Sequence, residues 1–142
     1  VKGVSKIGDL TKVEEALPEI LVLTHGYFGK ELIKSAEMIM GTIEGINFIP
    51  LTTDFSVEEY RDMVGNAING MKEGSVILLD LLGGTPCNTV AIFSRTRQVD
   101  AIVGVNLCIL METALLRGKY KGKELCEQVL ESTQCSIQKL KL

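Results

Sequence analysis

The chain has 142 residues, 46% of them hydrophobic and 23% charged, with a formal net charge of −3. That length suits one domain with a full core, and the composition excludes a disordered chain. The negative balance supplies no field for holding a nucleic-acid backbone, so nucleic acid is not expected as a partner.

Residues 1 to 18 carry weak periodicity and end at Pro18, so they read as an N-terminal arm ahead of a domain over residues 19 to 142. Residues 20 to 24 form a β-branched and leucine run that stops at His25-Gly26, the pattern of a strand. Leu32, Ile33, Ala36, Ile39 and Met40 then recur at helical spacing. Residues 46 to 51 predict a second strand. Ser56, with a carboxylate at the third helical position, predicts a capped helix over about 57 to 71. Residues 75 to 80 are an apolar run closed by Asp80, the pattern of a strand buried on both faces. Beyond Gly83-Gly84-Thr85-Pro86 the sequence predicts a helix over 88 to 94, another buried strand over 99 to 103, and helices over 109 to 116 and 122 to about 130. Residues 135 to 142 alternate as an edge strand with a mixed face.

Strands alternating with helices predict a three-layer α/β sandwich around a mainly parallel sheet. Apolar runs such as 76 to 79 and 107 to 111 fall far short of the roughly 20 residues of a membrane span. No secretion signal opens the chain, so the cytoplasm is the expected compartment. Cys87, Cys108, Cys126 and Cys135 are widely spaced and His25 is the single histidine, so no metal is expected and the cysteines read as reduced thiols.

In an open parallel sheet the ligand crevice lies beyond the carboxyl ends of the strands, where strand order reverses. His25, Asp54, Asp80 and Asn106 all fall at predicted strand ends. Gly26 and Gly29 let backbone N–H groups approach an anion beside His25. The plainer alternative is a surface histidine in a polar turn. Asp80, closing a buried strand, needs a donor. One candidate is the His25 imidazole N–H, which would fix the tautomer and leave Nε2 as the nucleophile; the other is capping of the Leu82 or Gly83 N–H. Gly83, Gly84 and Thr85 offer N–H groups and a hydroxyl to phosphate oxygens, although the four-residue turn alone means only a turn before a helix. Neither a GxxxxGK[ST] loop nor a GxSxG elbow occurs, and no acidic cluster ends the first strand.

Three stretches in order, LVLTHGYFG (21 to 29), LDLLGGTPCN (79 to 88) and GVNLCILME (104 to 112), resemble the mannose-family IIA domains of the bacterial phosphoenolpyruvate-dependent sugar phosphotransferase system. The resemblance runs from about Ile20 to the C-terminus. It implies that His25 becomes phosphorylated, that Asp80 orients it and that Thr85 lines the site. It implies a four-stranded parallel sheet joined by an antiparallel fifth strand, exchanged between subunits of a homodimer, a place that residues 135 to 142 fit. The implied partners are HPr as donor, a IIB domain as acceptor and, indirectly, the membrane IIC and IID subunits, with no cofactor. Two alternatives stand beside it: the phosphocarrier subunit of a dihydroxyacetone kinase, and a regulatory module that senses phosphate without passing it on. The chain departs from the family in having Cys108 where proline is usual, and in its eighteen-residue arm. Of the aromatics beside the histidine, Phe28 is expected in the core, while Tyr27 could face either way.

Overall fold

The computed structural model describes residues 17 to 142. The N-terminal arm therefore lies, but for Leu17 and Pro18, outside the described residues. Four strands, β1 (Ile20–His25), β2 (Ile46–Leu51), β3 (Val76–Leu79) and β4 (Asp100–Val103), form one parallel sheet in the order β2-β1-β3-β4. Five α-helices cover it: α1 (Phe28–Met40), α2 (Val57–Gly70), α3 (Thr85–Phe93), α4 (Leu107–Leu116) and α5 (Gly122–Ser132).

The two unbroken apolar runs become the two central strands, because only a strand with helices on both faces buries every side chain. Ile20, Val22, Val76 and Leu78 point into one core with α1, α4 and α5. Their neighbours Leu21, Leu23, Ile77 and Leu79 point into the other with α2 and α3. The result is the expected three layers.

Local chemistry sets the helix starts. Ser56 Oγ accepts the Glu59 N–H at 3.1 Å, while the Glu59 carboxylate accepts the Ser56 N–H at 2.7 Å, a complete capping box. Asn106 Oδ1 accepts the Ile109 N–H at 2.9 Å and caps α4. For α1, Thr24 Oγ1 accepts the Gly29 N–H at 2.7 Å. A Cβ on Gly29 would come within 2.9 Å of Thr24 and Val22, so glycine there lets the helix lie flush on β1. Periodicity missed the first turns of α1, α3 and α4, because those turns are set by capping and by packing against the sheet.

The C-terminal strand is the main difference from expectation. Gln134–Ser136 is a 3₁₀ turn, and no strand follows it. Ile137 and Leu140 are exposed. A strand needs a neighbour for its backbone groups, and within one chain this segment has none. β4, expected as a buried strand, is instead an edge of the sheet in which only Ile102 is buried, because an edge strand has a neighbour on one side alone.

Arg117, just past α4, is 5% exposed. Its guanidinium donates to the Pro18 carbonyl at 3.0 Å and to the Glu44 carbonyl, joining the entry to β1 to the loop before β2. Burial lowers its pKa, with the Glu44 charge acting the other way. Arg117→Met should fill similar space but leave both carbonyls without a donor, costing about 2 to 4 kcal/mol in urea unfolding.

Candidate functional site

Strand order reverses between β1 and β3, and the crevice rule therefore points to the ends of these two strands. Leu23 of β1 lies opposite Leu79, the last residue of β3, and β1 runs two residues further to His25, next to the point where Asp80 leaves the sheet. Asp80 reaches across with a single oxygen: Oδ2 accepts the His25 backbone N–H at 2.9 Å and also lies 2.9 Å from His25 Nδ1. A carboxylate can only accept, so Nδ1 carries the proton and Nε2 keeps its lone pair. Of the two roles open to Asp80 in the sequence, the structure selects the histidine. No bond to Leu82 or Gly83 forms; the Leu81 N–H adds to the lowering of the carboxyl's pKa, while Oδ1 has no partner at hydrogen-bond geometry.

Burial of the Asp80 carboxyl works to raise its pKa. The His25 backbone N–H, the imidazole hydrogen bond and the histidine's charge outweigh burial, and the net pKa lies below the ordinary carboxyl value. Asp80 thus remains ionised while its side chain is only 14% exposed. Its second oxygen, Oδ1, is buried and finds no partner among the described residues; the same holds for Tyr60 Oη of α2.

Gly84 caps α3 against the face of the histidine. A Cβ there would stand 2.7 Å from His25 Cε1 and 3.3 Å from Nε2, so only glycine permits this approach. The first turn of the helix that follows holds the Thr85 and Cys87 N–H groups, which have no backbone acceptor. A helix N-terminus of this kind favours an anion. Thr85 is half-buried and Gly83, at φ +79°, turns the chain into the helix. Gly26 differs from its expected use: its N–H donates to the Leu51 carbonyl at 2.7 Å and is not free for a ligand.

Asp54 is exposed and bonds neither His25 nor Asp80, and Asn106 is spent as a helix cap. Phe28, expected in the core, is 47% exposed; Tyr27, Leu81 and Leu82 are exposed as well. Phe28 opens α1 at the sheet edge, beyond the reach of either core. The His25 side chain is 46% exposed on the same rim. A cleft of about 740 Å³, lined by residues including Lys72, Asp100, Lys121 and Glu124, lies at the opposite edge of the sheet and takes no part in this chemistry. Among the described residues no cluster of histidine, cysteine or carboxylates could hold a metal, and no helix is long and apolar enough to cross a membrane.

The sequence model of the EIIA-man family, described as PTS system fructose IIA component, matches residues 19 to 130. The PTS system fructose-specific EIIA component of Bacillus subtilis is 29% identical over 122 residues, covering 84% of each chain. The PTS system mannose-specific EIIAB component of Escherichia coli is 29% identical over 103 residues, which are 69% of this chain but 31% of that longer protein. Among solved structures, a phosphotransferase system component EIIA from Streptococcus agalactiae superposes with a TM-score of 0.78 at 29% identity, over 85% of this chain and 95% of that one. A mannose/sorbose-specific IIA subunit from Enterococcus faecalis shares the fold at the same TM-score and 23% identity, over 88% and 96%.

Because the folded-state pKa of Asp80 is depressed, its stabilising contribution is present above the unfolded carboxyl's value of 3.8 and is lost as pH falls through the folded value. The stability gap between the native chain and Asp80→Asn, read from urea midpoints, should therefore be widest near neutral pH and close in acid.

Proposed function

The chain belongs to the EIIA-man family of phosphotransferase-system IIA components, and from that premise we propose that it carries a phosphoryl group on His25 Nε2. The phosphoryl arrives from phospho-HPr and leaves to a IIB partner, in the cytoplasm, for sugar uptake coupled to the membrane IIC and IID subunits. The observation that carries this reading is the Asp80 Oδ2 contact to His25 Nδ1, which leaves Nε2 exposed beside the N-terminus of α3.

The step balances without a cofactor. The Nε2 lone pair attacks phosphorus, the Nε2–P bond forms as the donor's bond to phosphorus breaks, and the leaving atom keeps that electron pair. The Nδ1 proton stays on its side of the ring, held against Asp80, and offsets the charge of the arriving phosphoryl group. Transfer of this kind depends on in-line positioning and charge stabilisation, both of which rigid backbone donors supply. The Thr85 and Cys87 N–H groups serve the phosphoryl oxygens, and the Thr85 hydroxyl and the Gly83-Gly84 turn line the same side. Tyr27, Phe28, Leu81 and Leu82 form the apolar rim on which HPr and IIB dock in turn. No observation favours the dihydroxyacetone-kinase or non-transferring alternatives.

Incubation with phosphoenolpyruvate, enzyme I and HPr should place an acid-labile phosphate on the chain. His25→Ala should fold and take up none; labelling retained in that variant would overturn the reading. Asp80→Asn should fold and be phosphorylated on the order of 10- to 100-fold more slowly, since an amide orients the ring less well and cannot balance its charge.

The exposed apolar side chains of the tail, Ile137, Leu140 and Leu142, and the open edge of β4 support a second element of the proposal. The tail becomes a strand on the sheet of an identical subunit, which covers both. The intact chain should run as a dimer in size-exclusion chromatography with light scattering, and deletion of residues 134 to 142 should give monomer or aggregate. A dimer that survives the deletion would place the interface elsewhere.

A further inference from the structure

Tyr60 has no assigned role, yet it is fully buried at the start of α2. It packs in the core that holds Leu23 and Leu79, each within two residues of His25 or Asp80. A phenylalanine would fill that space without the cost of burying a hydroxyl, so the hydroxyl calls for a partner. Asp80 has the complementary deficit. Both donors from His25 converge on Oδ2, and Oδ1 is left buried and unpaired. A carboxylate held through one oxygen can still rotate about its own Cβ–Cγ bond, and the imidazole it orients would turn with it.

We propose that Tyr60 is a positioning residue for His25: its hydroxyl donates to Asp80 Oδ1 through one bridging water and locks the plane of the carboxylate that holds the imidazole. Tyr60, Asp80 and His25 then form a chain running from the core to the surface. The inference rests on His25 being the phosphoryl carrier. Burial, and after it the charge of Asp80, push the Tyr60 hydroxyl well above its ordinary pKa, which keeps it protonated and able to donate. The titratable group acting on Asp80 is His25 from β1, Asp80 acts in turn on Tyr60 from α2, and the Leu81 N–H is the competing neutral donor.

The test is a carbon-detected NMR titration of the Asp80 carboxyl in the free protein, native and Tyr60→Phe. Loss of a donor to the ionised form should move the Asp80 midpoint up. Incorporation of 3-fluorotyrosine at position 60, whose more acidic hydroxyl donates better, should move it down and does not depend on the phenylalanine variant folding. An Asp80 midpoint unmoved by either change overturns the proposal and leaves Leu81 as the donor. In phosphoryl uptake from phospho-HPr, Tyr60→Phe should be about 2- to 10-fold slower, the net worth of one hydrogen bond, and should add nothing in an Asp80→Asn background. Equal slowing in both backgrounds also overturns it, since a merely structural role would act without Asp80. The titration involves no partner protein, so its failure is distinct from a failure of His25 to accept phosphate.

Discussion

The parallel register of β1 and β3 is the constraint on which the rest of the site depends. With Leu23 level with Leu79, β1 carries its last residue, His25, past the end of β3 where Asp80 follows, and two residues 55 apart in sequence come within one hydrogen bond. Both strands are buried on both faces, so two separate cores pin that register. A slip of one residue would exchange the side chains facing α1, α4 and α5 with those facing α2 and α3. The stability of the two cores and the geometry of the histidine are therefore one problem.

Rigidity at this edge comes from backbone rather than from long side chains. Gly84 lets α3 begin against the imidazole, and the helix brings its unpaired N–H groups with it. The Thr24 hydroxyl holds the turn after the histidine by accepting the Gly29 N–H. Asp80 stays ionised in spite of its burial because two donors from His25, helped by the Leu81 N–H, meet its carboxylate. Such an arrangement suits a group that must become anionic and then neutral again, since fixed dipoles need no reorganisation as the charge comes and goes.

The shape of the surface bears on the kind of ligand. His25 stands half-exposed on a rim with Tyr27, Phe28, Leu81 and Leu82, and the 740 Å³ cleft is at the other edge of the sheet. A small substrate calls for a concave pocket that buries most of its surface. A half-exposed histidine with exposed apolar side chains close by in the chain suits, under the proposed function, a macromolecular donor whose own surface excludes water when it docks.

The sequence by itself determined the alternation of strands and helices, the capping box at Ser56 and Glu59, the burial of β3 on both faces, and the gathering of His25 and Asp80 at strand ends. All of these follow from local periodicity and from the rule that a parallel sheet opens at its carboxyl edge. Only the tertiary structure decided which donor Asp80 takes, since that depends on register between segments far apart in sequence. The same holds for the Gly26 N–H, committed to Leu51 across β2, and for Phe28, which the helix start places on the rim. Tyr60 was not singled out in the sequence, because the burial of its ring and the missing partner of its hydroxyl are facts of tertiary packing. The tail could not be resolved from its alternating pattern, because a strand exists only where a neighbour supplies hydrogen bonds, and one chain offers this segment none.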